Sequence, residues 1–434
     1  MNIDNNTSLA KLVRVAILGL IMVAFLRVPI MATKDCRDFA IIYLSSISWI
    51  HGTNPYERGP FYNYWSEAGG PPEEIPGWPS FYPICTFPLI APLTLLKWPY
   101  AKIIWTLINC GAFIGLLILL MSMINYQLNE LKVIVVFGFS LFFTPSLVAI
   151  VLGQPVILSM LCGVLSFREN RANRWLSSGI WLAFSLSLKL NLGAIFLGYF
   201  IIYRRWKIMG VSLLILVAIT SIGALKLGLS DFSWFGSWID NLQVVSKEWA
   251  TTKPALNNPN SIFLLNIQYP LYMFTDSKFI ANAIAYTIGF IEFIILLIVY
   301  KYNEGLYGNL TMLTTIATIV IISSYHRLAD ASILILLLVL IVLSLKTKFA
   351  RYGKLLMVLF LPLYLPGPGL LQNLVARGVI PTSIGSLWWW NTLVLPYQVY
   401  CLSLMSIVMM FLVVVDKRDL SIFTEAQRLP HNLR

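Results

Sequence analysis

Residues 101–123 read AKIIWTLINCGAFIGLLILLMSM, with Lys102 as the single charge. A helix of this length covers the roughly 30 Å hydrocarbon core of a bilayer. Helices suit that solvent because they satisfy their own backbone hydrogen bonds. Comparable apolar runs recur at 12–32, 132–149, 153–167, 177–188, 190–203, 206–228, 279–300, 309–325, 329–346, 352–366 and 389–415. The pattern predicts an all-α polytopic membrane protein of about 12 membrane segments, within a range of about 10 to 13. Several runs are short for a full crossing, which predicts tilted or broken helices. The pair flanking Lys189 reads either as two short crossings or as one interrupted helix.

Composition points the same way. Of 434 residues, 58% are hydrophobic and 12% charged, with a mean hydropathy of +0.77. Soluble domains carry about 25% charged residues, so a soluble core is excluded. The net charge of +12 does not indicate nucleic acid, because the basic residues cluster between apolar runs. They do so at Arg168, Arg171 and Arg174, at Arg204, Arg205 and Lys207, at Lys346, Lys348, Arg351 and Lys354, and at Lys417 and Arg418. Such clusters mark cytoplasmic helix ends. Both termini are therefore expected in the cytoplasm, with 416–434 a cytoplasmic tail. Lys11 and Arg14 precede the first run, and no small-residue cleavage site follows it, so the run reads as a retained helix.

The whole chain, 1–434, is read as one integral membrane domain. Three long segments then fall on the non-cytoplasmic side: 32–99, 229–278 and 366–387. They are rich in proline, tryptophan and tyrosine, which favour turns and the headgroup level. The apolar stretch 38–50 is expected as a helix at the membrane interface. Five scattered cysteines (Cys36, Cys85, Cys110, Cys162 and Cys401) have no metal-ligand spacing. Cys36 and Cys85 both lie in or near the first long segment, where a bridge could form.

Candidate chemistry begins directly after the first membrane run, at Asp35-Cys36-Arg37-Asp38-Phe39. A carboxylate here can act as a base, bind a cation or cap the following helix. His51-Gly52-Thr53-Asn54-Pro55-Tyr56 reads as a helix stop and turn. The cluster Ser324-Tyr325-His326-Arg327-Leu328-Ala329-Asp330 places costly polar groups at a helix end. They should face a polar cavity or pair with one another, for instance as Arg327 with Asp330. Lys189 is the clearest intramembrane charge. It could snorkel, neutralise Glu292 or bind an anion such as a polyprenyl phosphate.

Taken in order, these motifs resemble the multispanning polyprenol-phosphate-dependent glycosyltransferases of the C-type (GT-C) superfamily. The likeness is to the DUF2029-type branch that contains phosphatidylinositol-mannoside mannosyltransferases. It spans roughly residues 12–346 and rests on Asp38-Phe39 through Tyr43, Gly52 to Tyr56, Phe81-Tyr82-Pro83-Ile84 with Pro88-Leu89, Gly153-Gln154-Pro155, Lys189 with Tyr203-Arg204-Arg205-Trp206, Asn258-Pro259-Asn260-Ser261, and His326. Two departures stand out. The second proline after Tyr82 is missing, and Val156 replaces the asparagine that usually follows the Gly-Gln element.

The resemblance implies a GT-C-like fold and inverting sugar transfer at the non-cytoplasmic face of a bacterial plasma membrane. The donor would be a polyprenyl-phosphate sugar, with mannose favoured, and the acceptor a glycolipid or glycan. It implies Asp38 and His326 as catalytic residues, with Asp35 a reserve base. Lys189, Arg327 and Arg37 would bind the donor phosphate, and Tyr56, Tyr82, Gln154 and Asn258 the sugar or acceptor. Trp78 is a candidate stacking surface for sugar or polyprenyl. Neither a metal nor another cofactor is expected. Two other readings fit the same charges and broken helices: a transporter or flippase of a lipid-linked sugar, and a noncatalytic membrane assembly factor.

Overall fold

A computed structural model describes residues 25–124, 138–228, 232–247, 264–299, 305–345, 347–365 and 367–415, together with Gly19 and Val23. Among the described residues the chain is helical, and its only β pairing is an isolated antiparallel bridge between Leu264 and Arg327. Among the described residues, four helices are long and apolar enough to cross a membrane: Trp98–Met123, Trp206–Leu227, Lys278–Ile298 and Leu306–Ser323. A bent pair, 350–364 with 368–376, would make a fifth span. Further apolar helices are shorter, such as Trp175–Leu188, Leu190–Ile202 and Tyr397–Val413. The protein is an all-α polytopic membrane protein whose apolar runs are frequently interrupted.

The Trp206–Leu227 helix shows why the solvent must be hydrocarbon. Only Ile208, Ser212 and Gly223 are buried along it, while Leu213, Leu214, Val217, Ile222 and Leu225 are exposed. Water would penalise that apolar surface at about 25 cal/mol per Å². The helix docks through Gly223, whose carbonyl accepts the Trp49 indole N–H at 2.8 Å.

The chain forms two compact units. One comprises 1–253 with 328–333, and the other 254–327 with 334–434. In the first, helices Val156–Arg171 and Trp175–Leu188 are tied together by serine pairs. Ser159 donates to the Ser185 carbonyl at 2.9 Å, and Ser166 to the Ser178 carbonyl at 2.8 Å. Lipid offers helices no hydrophobic drive to associate, so such polar contacts and small residues hold them. In the second unit, Ser406 donates to Glu292 at 3.3 Å, joining helices Tyr397–Val415 and Lys278–Val299.

The run expected over 177–203 is two helices that meet at Lys189, which is extended at φ −152°, ψ 96°. Gly193 explains how the halves pack. A Cβ there would lie 2.7 Å from the backbone of Leu186. The Ser187 carbonyl beside this break accepts the Thr86 hydroxyl at 2.7 Å.

The segment 32–99 folds rather than looping. The helix expected over 38–50 is present as Arg37–Ile50, and every residue from Phe39 to Trp49 is buried. Protein therefore covers both its faces. Phe39 stacks on Trp105 (4.8 Å, 10°) and Trp98 (5.7 Å, 22°), so these aromatics pack into a core. Gly52 ends the helix at φ +71°, and the Thr53 N–H returns to the Ser48 carbonyl at 2.9 Å. This closes the helix in the manner of a Schellman motif. Asn54 then forms a turn by accepting the Tyr56 N–H at 3.1 Å. Cys36 and Cys85 are buried free thiols, so the bridge they could have formed is absent.

Candidate active site

The Asp38 helix begins in an unusual way. Its N-cap is Cys36, in the left-handed region at φ 47°, and no side chain caps it. Neither aspartate plays the capping role that the sequence offered. Instead the Cys36 and Asp38 N–H groups donate to the Val151 and Leu152 carbonyls at 3.0 and 2.9 Å. The end of helix Thr144–Val151 thus supplies acceptors to the start of helix Arg37–Ile50. Asp38 occupies the first turn, where the helix dipole favours a negative charge. Asp35 is held by Arg37 through two hydrogen bonds of 2.7 and 2.8 Å.

The Gly-Gln element completes this junction. Gly153 sits at φ +70°, and a Cβ there would fall 2.6 Å from Cys36 Sγ and 2.8 Å from Phe39 Cβ. Its carbonyl accepts the Trp105 indole N–H at 2.8 Å. With the backbone so fixed, Gln154 is aimed at Asp38 and donates from Nε2 to Oδ2 at 2.6 Å. Gln154 Oε1 accepts from Lys189 Nζ at 3.0 Å. Lys189 Nζ is 2.9 Å from Asp330 Oδ1, and both side chains are largely buried. The carboxylate paired with Lys189 is therefore Asp330, whereas Glu292 accepts from Ser406.

Asp38 opens onto a cleft of about 580 Å³, lined also by Lys34, Asp35, Arg37, Glu73, Glu74 and Trp78. Its far wall is anchored by Glu74, which accepts from Lys102 Nζ at 2.8 Å and from the Trp98 indole at 2.9 Å. Tyr82 lies near both carboxylates. Burial pushes its phenol well above the ordinary range, and the charges of Asp38 and Asp330 push the same way. It stays a neutral hydroxyl at physiological pH. Tyr56 is interior, packed near Phe87 and Trp234, and donates its hydroxyl to the Tyr82 carbonyl at 3.0 Å. Asn241 adds support from helix Ser233–Lys247 by donating to the Tyr56 and Ser80 carbonyls at 2.9 and 3.1 Å.

The structure thus gathers Asp38, Gln154 and Lys189, with Asp35 and Arg37 beside Asp38. It adds Asp330, which the sequence marked only as part of a polar cluster. His326 and Arg327 belong to the second unit, where His326 is buried and its carbonyl accepts the Leu265 N–H at 3.1 Å. Asn258 lies outside the described residues. No group of three or more His, Cys, Asp or Glu side chains suited to a metal occurs among the described residues.

Fold and site together define a helical membrane protein with a buried carboxylate–cation network behind a polar cleft. The chain belongs to glycosyltransferase family 87, whose family model matches residues 81–345. It is a membrane glycosyltransferase, in agreement with the C-type resemblance carried by its motifs. The match includes Tyr82, Gln154, Lys189, His326, Arg327 and Asp330, and begins after Asp38. No curated protein and no solved structure matches the chain.

Proposed function

We propose that the protein transfers a sugar, mannose by preference, from a polyprenyl-phosphate donor to a glycolipid or glycan acceptor, with inversion at the anomeric carbon. Asp38 is the general base. It takes the proton of the acceptor hydroxyl as that oxygen bonds to the anomeric carbon. The bond from the anomeric carbon to the phosphate oxygen breaks in the same displacement, and its electron pair leaves with the polyprenyl phosphate. One displacement needs no covalent sugar–enzyme intermediate, unlike retaining hydrolysis.

The observation that carries this reading is the composition of the Asp38 cleft. It combines a carboxylate in a helix first turn, the cations Lys34 and Arg37, and the aromatic face of Trp78. These suit a hydroxyl, a phosphate and a sugar or isoprenoid respectively. Arg327 and His326 are assigned to the donor phosphate and sugar on their place in the sequence, and Asn258 to the acceptor on the same basis. Tyr82 offers a hydroxyl toward the sugar, while Tyr56 positions the Tyr82 segment. The cleft faces the non-cytoplasmic side of a bacterial plasma membrane, with both termini in the cytoplasm.

The test is product formation by purified protein in lipid nanodiscs. Synthetic polyprenyl-phosphate mannose and arabinofuranose donors are supplied with glycolipid acceptors, and products are read by mass spectrometry. A mannosylated product with inverted configuration is expected. Movement of intact donor across a proteoliposome membrane, without any product, would favour a flippase.

A further inference from the structure

Gln154 stands between two groups with opposite needs. A lysine ammonium offers only donors, and an ionised carboxylate only acceptors. The amide meets both, accepting from Lys189 at Oε1 (3.0 Å) and donating from Nε2 to Asp38 Oδ2 (2.6 Å). Rotating the amide by half a turn would set NH₂ against ammonium and oxygen against carboxylate, so only one orientation is stable. Lys189 is held in its turn by Asp330, at 2.9 Å. Each member stands on a fixed element. The Gln154 N–H binds the Ala149 carbonyl at 2.9 Å, Lys189 occupies the break between two packed helices, and Asp330 lies in the 3₁₀ helix Leu328–Leu334.

We propose that Gln154, Lys189 and Asp330 form a positioning relay that keeps the Asp38 carboxylate ionised and oriented toward the cleft. This rests on the reading of Asp38 as the base. None of the three need touch substrate, and Lys189 acts through Gln154 rather than by grasping the donor phosphate. Removing Lys189 takes away one of the two contacts that hold the amide, and with it the polarisation of its N–H. Removing Gln154 deletes the charge-assisted hydrogen bond to Asp38, the stronger kind of hydrogen bond.

Other charges bear on Asp38. On its own helix and at its start are Arg37, Asp35 and Lys34, and across the cleft Glu73 and Glu74. Lys102, on helix Trp98–Met123, acts on the neighbouring Cys36 thiol, and Tyr82 lies near Asp38 from the segment before that helix. Arg37 is paired with Asp35, and Lys102 with Glu74. Each pair is neutral in sum, so neither replaces the directed donor from Gln154.

The test reads Asp38 without a substrate. Dicyclohexylcarbodiimide attacks protonated carboxyl groups, and peptide mass spectrometry follows its adduct at Asp38 across pH in the full-length protein. In Gln154→Ala and Lys189→Met, labelling at pH 7 is expected to rise about tenfold, because the carboxylate loses its stabilising contact. Lys189→Arg keeps donor and charge and is expected to stay within about twofold of wild type. A merely structural role predicts that the Arg and Met variants behave alike. In turnover with polyprenyl-phosphate mannose, Lys189→Met should lower kcat at least tenfold while donor KM changes less than threefold. Unchanged labelling in folded Gln154→Ala and Lys189→Met would overturn the relay. So would a large rise in donor KM at constant kcat, which would make Lys189 a phosphate ligand. Normal turnover by Asp38→Asn would remove the base reading alone and leave the labelling profile to judge the relay. If Lys189→Met fails to fold, Gln154→Ala and Asp330→Asn carry the same comparison.

Discussion

The Leu152 carbonyl accepts the Asp38 N–H at 2.9 Å, so one helix ends on the beginning of another. Gly153, the next residue, lets the two approach, since any Cβ there would collide with Cys36 Sγ and Phe39 Cβ. Gly153→Ala must either strain a left-handed backbone or push the Asp38 helix away. Overpacking of this kind costs about 1–3 kcal/mol. A lower thermal midpoint in detergent, with weakened turnover in the surviving folded fraction, is the expected outcome. Wild-type melting and activity would show that the junction is not tight.

The cleft wall depends on Glu74, which accepts from both Lys102 and Trp98. Lys102→Met removes the cation but preserves most of the side-chain volume. Lys102 is 8% exposed, and removing one partner of a buried pair can cost about 3–5 kcal/mol. The wall is partly exposed, so a smaller loss is expected, together with faster hydrogen exchange over 72–78. Exchange unchanged in that segment would separate the ion pair from the cleft.

Burial pushes the Cys36 thiol up to about 12. Thiolate is the reactive form, so almost none exists at pH 8. Maleimide should leave Cys36 unlabelled in the folded protein at that pH and label it after denaturation, as peptide mass spectrometry would show. Rapid labelling without unfolding would mean that the packing of Cys36 against Gly153 opens in solution.

The helical, multispanning character was legible because apolar runs record directly where hydrocarbon or protein must surround a helix. The break at Lys189 was legible too, since a charge between two short runs has few stable places. The burial of the Asp38 helix was not. By composition, Phe39, Trp98 and Trp105 suit lipid contact or a packed core equally well, and their mutual stacking is a product of tertiary structure. Nor could the sequence pair Lys189 with Asp330, because the two are far apart in the chain and Glu292 was an equally plausible partner by charge. The pairing of Lys102 with Glu74 was not legible either, because charge alone does not select a partner 28 positions away. The Gly-Gln element was visible as a motif, but its physical meaning, a collision-free junction that aims an amide at Asp38, is a matter of tertiary geometry.

The central claim is that Asp38 removes the proton from the acceptor. Its most direct measurement compares wild type and Asp38→Asn in single-turnover transfer from a synthetic polyprenyl-phosphate mannose, with donor binding measured in parallel. Asparagine nearly preserves shape but cannot accept the proton, so a loss of about 10²–10⁴ in rate is expected. Donor affinity and melting behaviour should remain close to wild type. Turnover by folded Asp38→Asn at a rate near wild type would contradict the account.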